Sequence, residues 1–370
     1  MKPQALSKLY HACNPVLQHL PIKLQIKLAS TGRKQFMSKF VNFRDFVSVV
    51  PAADLAVEMW GIKFRSPISN AAGMFKNGEG YNVVAQLGAG SYLGGTSTTN
   101  MRIGNKKNGV SLPFINLPQS QLAINWLGLP NLGDAVLANQ TLTTRKTPDC
   151  PIGWSVMRSP DFDEATGLSK LIYSLWLYHN HPQIDYLEIN ESCPNVSQGG
   201  GSIIARLEQI GEEFIAKRKR HLPVVVKLSN DISAESLRTI LATLIKYKFD
   251  GINLGNTSTN YPHLREFVTA RESAMFDYFT SNFGGGVSGN VLKERSLELC
   301  SIAAEYLALE KPDHEFHIIR SGGIDCAEDI IASQQHGVSF NQWYTGFFNQ
   351  YAHHGSDVYQ NLYAELTSIK

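Results

Sequence analysis

The sequence predicts an α/β chain, a (β/α)8 TIM barrel with an N-terminal helical extension. Three observations carry that prediction. From about residue 60 onward a short apolar run, a Gly- or Asn-rich loop and a helical pattern recur in that order. Eight such units fill the chain, as a closed ring of parallel strands requires. A doubly wound open sheet would need an early glycine fingerprint opening a helix, with an acid beyond it, and the sequence has neither.

Residues 1–50 form the extension and residues 51–370 the barrel. In the extension Leu6, Leu9, Tyr10, Cys13, Val16, Leu17 and Leu20 recur at helical spacing until Pro21 breaks the pattern. A second apolar-and-basic segment starts at Ile22, and no acid precedes Asp45. Two basic amphipathic helices of this kind either lie on an anionic membrane surface or pack their apolar faces on the main domain. The barrel strands are expected at Ile68–Ala72, Ser91–Gly94, Ile152–Met157, Tyr186–Asn190, Val224–Leu228, Gly251–Leu254, His317–Arg320 and Ser339–Tyr344. Helices are expected at Asp163–His179, Ile203–Lys217, Ala234–Lys246 and Lys293–Leu309. Two gaps, roughly 96–150 and 256–315, exceed the usual spacing. Insertions after barrel strands fall on the catalytic face and can roof it.

With 43% hydrophobic and 18% charged residues the chain reads as globular with a large core. A net charge of +2 makes no demand for nucleic acid. The cysteines Cys13, Cys150, Cys193, Cys300 and Cys326 are scattered and contain no CxxC pair. That argues for a reducing compartment, the cytoplasm, and against a disulfide framework or a cysteine-held metal. No metal is expected from histidines and acids either. His179, His181, His353 and His354 read as surface residues. No apolar run reaches the length of a bilayer span, so membrane contact would be peripheral, on the inner face, through residues 1–50.

In a barrel the residues just beyond each strand converge on one mouth. The first strand gives Ala72, Gly73 and Lys76, the second Thr96, and the insertion after it Asn125 to Asn131. The third carries Ser155. The fourth ends in Asn190-Glu-Ser-Cys-Pro-Asn195, a thiol between carboxamides, followed by three glycines (199–201) suited to a loop that opens and closes. Lys227 lies inside the β-branched run of the fifth strand, where burial is costly without an anion or electron-rich partner. The sixth gives Asn256 and Thr257, with Gly289 in the gap that follows. Ser321-Gly322-Gly323 and Tyr344-Thr345-Gly346 follow the last two strands, where barrels seat phosphate on backbone N–H groups. Together these describe a phosphate-tailed cofactor with a flat polar ring and a substrate gripped by asparagines.

These motifs resemble the FMN-dependent dihydroorotate dehydrogenases, over about Trp60 to Tyr351. The resemblance is most specific at Asn190-Glu-Ser-Cys-Pro-Asn195, at Asn125 to Asn131 and at Ser321-Gly-Gly. It implies oxidation of dihydroorotate to orotate in pyrimidine biosynthesis, Cys193 removing the C5 proton while hydride passes to FMN. It implies a substrate set of Lys76, Asn125, Gly128, Leu129, Asn131, Asn190, Asn195, Asn256 and Thr257. The implied FMN set is Ala72, Gly73, Thr96, Ser155, Asn190, Lys227, Gly289, Gly322, Gly323, Tyr344, Thr345 and Gly346. Cys193 and Gly128-Leu-Pro-Asn131 resemble the soluble class of the family. Lys76, Gly95-Thr96 and the long N-terminal segment resemble the membrane-associated class, in which two helices form a quinone tunnel, although Trp126 stands where that class carries arginine. The electron acceptor is therefore left as fumarate, a quinone, or NAD through a partner protein, and a homodimer is left open. The alternatives are an FMN barrel acting on another dihydropyrimidine and a flavin-binding barrel without activity.

Overall fold

The computed structural model describes residues 3–17, 19–44, 46–140, 147–191 and 202–369, so Cys193, Asn195 and glycines 199–201 lie outside the described residues. Eight strands form one sheet: β1 (Ile68–Asn70), β2 (Tyr92–Ser97), β3 (Ile152–Val156), β4 (Tyr186–Asn190), β5 (Val224–Leu228), β6 (Gly251–Leu254), β7 (His317–Ser321) and β8 (Phe340–Trp343). They pair in parallel in the order β1-β8-β7-β6-β5-β4-β3-β2. A parallel bridge between Phe75 and Gly94 joins the two ends, and Asn70 Nδ2 donates to Leu93 O at 2.8 Å. The barrel is thereby all but closed. Strand β2 runs to Ser97, beyond the expected Gly94, because its pairing with β3 continues through Gly95 to Ser97.

Alternation explains the interior. Leu93, Tyr186, Val225, Ile319 and Phe340 form a buried apolar layer near the bottom. A Cβ on Gly153 would collide with the Tyr186 ring, so β3 has glycine there. A hairpin of Val57–Met59 and Ile62–Phe64 plugs this end. Its two turn residues, Trp60 and Gly61, both have positive φ (57° and 68°), as a tight two-residue hairpin needs.

Helices cover the outside. Asp163 caps Glu164–His179 by accepting from Thr166 N at 2.9 Å, and Ser233 caps Ala234–Lys246 by accepting from Ser236 N at 3.1 Å. Within the second of these, Leu237, Ile240, Leu241 and Leu244 make the buried stripe. The expected helix at Ile203–Lys217 is shorter: it runs Ile203–Glu213, then a 3-10 turn at Ile215–Lys217.

The two long gaps meet each other. Strands Phe114–Leu117 and Leu122–Asn125 come from the first, Gly286–Gly289 from the second, and they pair antiparallel in one sheet. Helix α1 (Pro3–Leu17) and helix α2 (Ile22–Asn42) precede the barrel. The chain turns at Pro21, as expected. Helix α2 packs on the main body: Ile26 and Ala29 join the core of the inserted sheet, with Ile115, Ile124 and Val287, while Phe40 joins the barrel's outer core. Leu9, Leu24 and Leu28 stay exposed.

The surface reading of His179 and His181 is corrected: both are buried. His179 ends its helix with its ring between Trp176 and Phe214, and its Nε2 accepts from Arg220 N at 3.3 Å. His181 Nδ1 accepts from Gln183 N at 3.2 Å. His353 is exposed and His354 half-buried.

Phe40 is fully buried, its ring 5.1 Å from Tyr351, 5.9 Å from Phe347 and 6.0 Å from Phe46. Phe40→Ala is expected to cost ~3–5 kcal/mol in denaturant unfolding. A loss below ~1 kcal/mol would mean that α2 is not part of the folded core.

Candidate functional site

The C-terminal ends of the strands open into one cavity, which with its mouth encloses about 1130 Å³. Ala72, Gly73 and Lys76 line it from the β1 exit, Thr96 from β2, Asn190 from β4 and Lys227 from β5. Asn256 and Thr257 come from the β6 exit, Gly322 and Gly323 from β7, and Tyr344, Thr345 and Gly346 from β8. The inserted sheet completes the wall with Asn125, Leu129 and Gly289. Three expected residues stand elsewhere among the described ones. Gly128 packs on Asn105. Asn131 is buried in the loop, donating to Thr98 Oγ1 (2.9 Å) and Leu129 O (2.8 Å) and accepting from Gly133 N (2.9 Å). Ser155 lies deeper, inside the barrel, 3.0 Å from Thr96 Oγ1. Cys193 and Asn195 fall outside the described residues.

The floor is a polar network. Lys227 Nζ donates to Gln342 Oε1 at 3.2 Å and stands 3.9 Å from Glu188 Oε1. Glu188 Oε2 accepts from Asn253 Nδ2 (2.7 Å) and Gln342 Nε2 (3.1 Å), and its Oε1 accepts from Ser155 Oγ (3.1 Å). Ser321 Oγ donates to Asn253 Oδ1 at 2.7 Å. All are buried. Burial pushes the Lys227 ammonium below the ordinary lysine range, and the Glu188 carboxylate opposes that shift.

One end of the cavity is a backbone seat. Tyr344 precedes the helix α3 (Thr345–His354), and no side chain caps that helix start. Free N–H groups and the positive end of the helix dipole therefore face the cavity beside Gly322 and Gly323. Both glycines have positive φ, 94° and 79°. A Cβ at Gly346 would collide with Ile324 O, so the helix start lies directly on the preceding loop. On the cavity wall Thr257 Oγ1 is buried with no hydrogen-bond partner, and the same wall carries carboxamides. An anionic tail, a flat polar ring over a cation and a small polar ring beside amides all fit this arrangement.

Glu188, Asn253 and Gln342 were not singled out from the sequence. Their signal was available: each is a polar residue in a short buried strand, and Glu188 shares its face with Asn190 by two-residue alternation. Ser288, which lines the cavity 2.9 Å from Thr345 Oγ1, had no such signal, since the inserted sheet alone brings it there.

The residues flanking positions 192–201 are tied together. Arg206 donates to Glu191 Oε2 through Nη2 (2.7 Å) and Nε (3.1 Å), and through Nη1 to Glu164 Oε1 (3.0 Å). Arg158 Nη2 lies 3.4 Å from Glu164 Oε2. Burial raises the Glu191 carboxyl and the Arg206 charge works against it. Arg206→Met removes the partner of a buried acid and is expected to cost ~3–5 kcal/mol in denaturant unfolding. An unchanged midpoint would show that the clamp contributes nothing.

A family model described as dihydroorotate dehydrogenase matches residues 54–368. A dihydroorotate dehydrogenase (quinone) of Shewanella sp. (strain MR-4) is 30% identical over 308 residues, covering 80% of this chain and 83% of that one. A protein of the same name from Xylella fastidiosa (strain M12) is 29% identical over 301 residues, covering 79% of each. Among solved structures, ligand-free DHODH from Eimeria tenella superposes with a TM-score of 0.75 at 20% identity, over 91% of this chain and 93% of that one. That likeness speaks to the fold.

Proposed function

The chain belongs to the dihydroorotate dehydrogenase family, and from that premise we propose how its cavity works. The enzyme oxidises dihydroorotate to orotate in pyrimidine biosynthesis, with a flavin as cofactor. We read the flavin as FMN, whose phosphate would be held by the uncapped start of α3 with Gly322, Gly323, Thr345 and Gly346, and whose ring would be held by Lys227. The single observation that carries this is one cavity joining a helix start, a buried cation and a wall of neutral amides. When bound, FMN supplies the acceptor for the hydride that leaves C6 of the substrate.

The remaining work falls to the chain's own side chains. Lys76 offers a cation to the substrate carboxylate, and Asn125, Asn190 and Asn256 offer amides that both donate and accept, which an imide ring requires. Thr257 Oγ1 has hydrogen-bonding capacity left for the same ligand. Cys193 takes the proton from C5. A free thiol has a pKa of ~8.5, so this base needs a site that stabilises its thiolate or excludes water.

We further propose a quinone as the electron acceptor, as the names of the relatives indicate. The supporting observation is an apolar groove between α1, α2 and the barrel, lined by Leu6, Leu9, Phe36, Met37 and Phe348. It shares Phe114, Ala123, Tyr344, Thr345 and Asn349 with the main cavity. Arg33 reaches into it and donates to Tyr344 Oη at 2.7 Å. Among the described residues no helix is long and apolar enough to cross a membrane. Contact of the basic α1 and α2 with an anionic membrane surface would let a lipid-soluble quinone enter between them.

Cys193→Ala is expected to keep its flavin but to lower turnover with dihydroorotate by ~10²-fold or more. Near-normal turnover would rule Cys193 out as the base. Gly32 lines the groove and has nothing within 4 Å of where its Cβ would stand, so Gly32→Phe fits on α2 and fills the groove. It should leave anaerobic flavin bleaching by dihydroorotate intact and slow reoxidation by a quinone by roughly tenfold or more. Equal reoxidation in the two proteins would remove the groove from the electron path.

A further inference from the structure

The floor network contains a charge that its hydrogen bonds do not call for. Asn253 Nδ2, Gln342 Nε2 and Ser155 Oγ are neutral donors, and any carbonyl oxygen would satisfy them. A buried carboxylate is a costly way to supply those acceptors. The group that gains from a full negative charge is Lys227, whose Nζ stands 3.9 Å from Glu188 Oε1 at the base of the cavity. We infer that Glu188 is a positioning residue: it keeps Lys227 protonated and aimed at the cofactor, and through Lys227 it sets the flavin reduction potential. The inference rests on the cavity being the flavin site.

Two features of the geometry favour this role. Lys227 lines the cavity and Glu188 does not, so the cation lies nearer to the ring than its counter-ion does. Gln342 bridges the pair, accepting from Lys227 Nζ and donating to Glu188 Oε2, so the ammonium has a fixed orientation. Lys227 Nζ meets Glu188 from β4 and Gln342 from β8, with Asn253 of β6 beside it in the strand ladder, and of these only Glu188 carries charge. On the cavity wall the other titratable side chains among the described residues are Lys76, Asp325 and Tyr344. Without Glu188, burial acts on Lys227 unopposed and favours its neutral form, in which the nearest positive charge is lost to the reduced flavin.

The test is the midpoint potential of the bound flavin, measured by dye equilibration from acid to alkaline pH. Compared are the wild-type holoenzyme, Glu188→Gln and Glu188→Met, the last removing the charge without adding a donor. Both variants should show a lower potential at neutral and alkaline pH, by about 30 mV or more, the tenfold step of a two-electron couple. The gap should close towards acid pH as Lys227 regains its proton. Lys227→Met should have the low potential at every pH, and adding Glu188→Gln to it should lower the potential no further. A potential that stays unchanged or rises in the folded Glu188 variants would overturn the role of Glu188 and leave the flavin site standing. A wild-type protein that binds no flavin would overturn both.

Discussion

Holding a lysine dry in the middle of a barrel is the constraint from which the upper half of this structure follows. An unpaired buried ammonium is too costly to keep, and Lys227 is fully enclosed except towards the cavity. The network that makes it tolerable comes from several strands: Gln342 of β8 and Glu188 of β4 face the ammonium, and Ser155 of β3 and Asn253 of β6 donate to the Glu188 carboxylate. Such a network forms only if every parallel register is right, as in the pairing of Asn190 with Lys227 and of Lys227 with Asn253. Polar registry here specifies the barrel, while the apolar layer below it, with Tyr186, Val225 and Phe340, and the larger core between strands and helices supply apolar burial.

The mouth is built by a different principle. Two insertions far apart in sequence become one antiparallel sheet, so the wall carrying Asn125 and Ser288 exists only when both have folded. Helix α2 then backs that sheet with Ile26 and Ala29 and reaches the barrel's outer core with Phe40. The N-terminal extension is therefore part of the cavity's support, and α1, α2 and the barrel together line the groove beside it. Sequence patterning left two destinations open for these helices. The structure shows one face of α2 buried against protein, with Leu24 and Leu28 exposed on another.

Much of the fold and of the cavity was legible in the chain. Short apolar runs ending in Gly, Asn or Ser were read to within a few residues of their true ends, because parallel strands buried on both faces carry an unbroken apolar signal. Lys227 was legible for the same reason: a charge inside a β-branched run has to have a purpose. Residues beyond strand ends could be assigned to one rim once the barrel was accepted, since that topology sends every exit to the same side.

What the linear chain determined by itself was therefore the barrel, the polar strand exits and the demand for a partner to Lys227. Tertiary structure alone decided which partner that was, that Asn131 spends its amide on its own loop, and that His179 and His181 are enclosed rather than exposed. The physical reason is that strand pattern and turn chemistry are local properties. Which polar group meets which, and which surface a neighbouring element covers, depends on contacts between segments distant in sequence, and no periodicity records them.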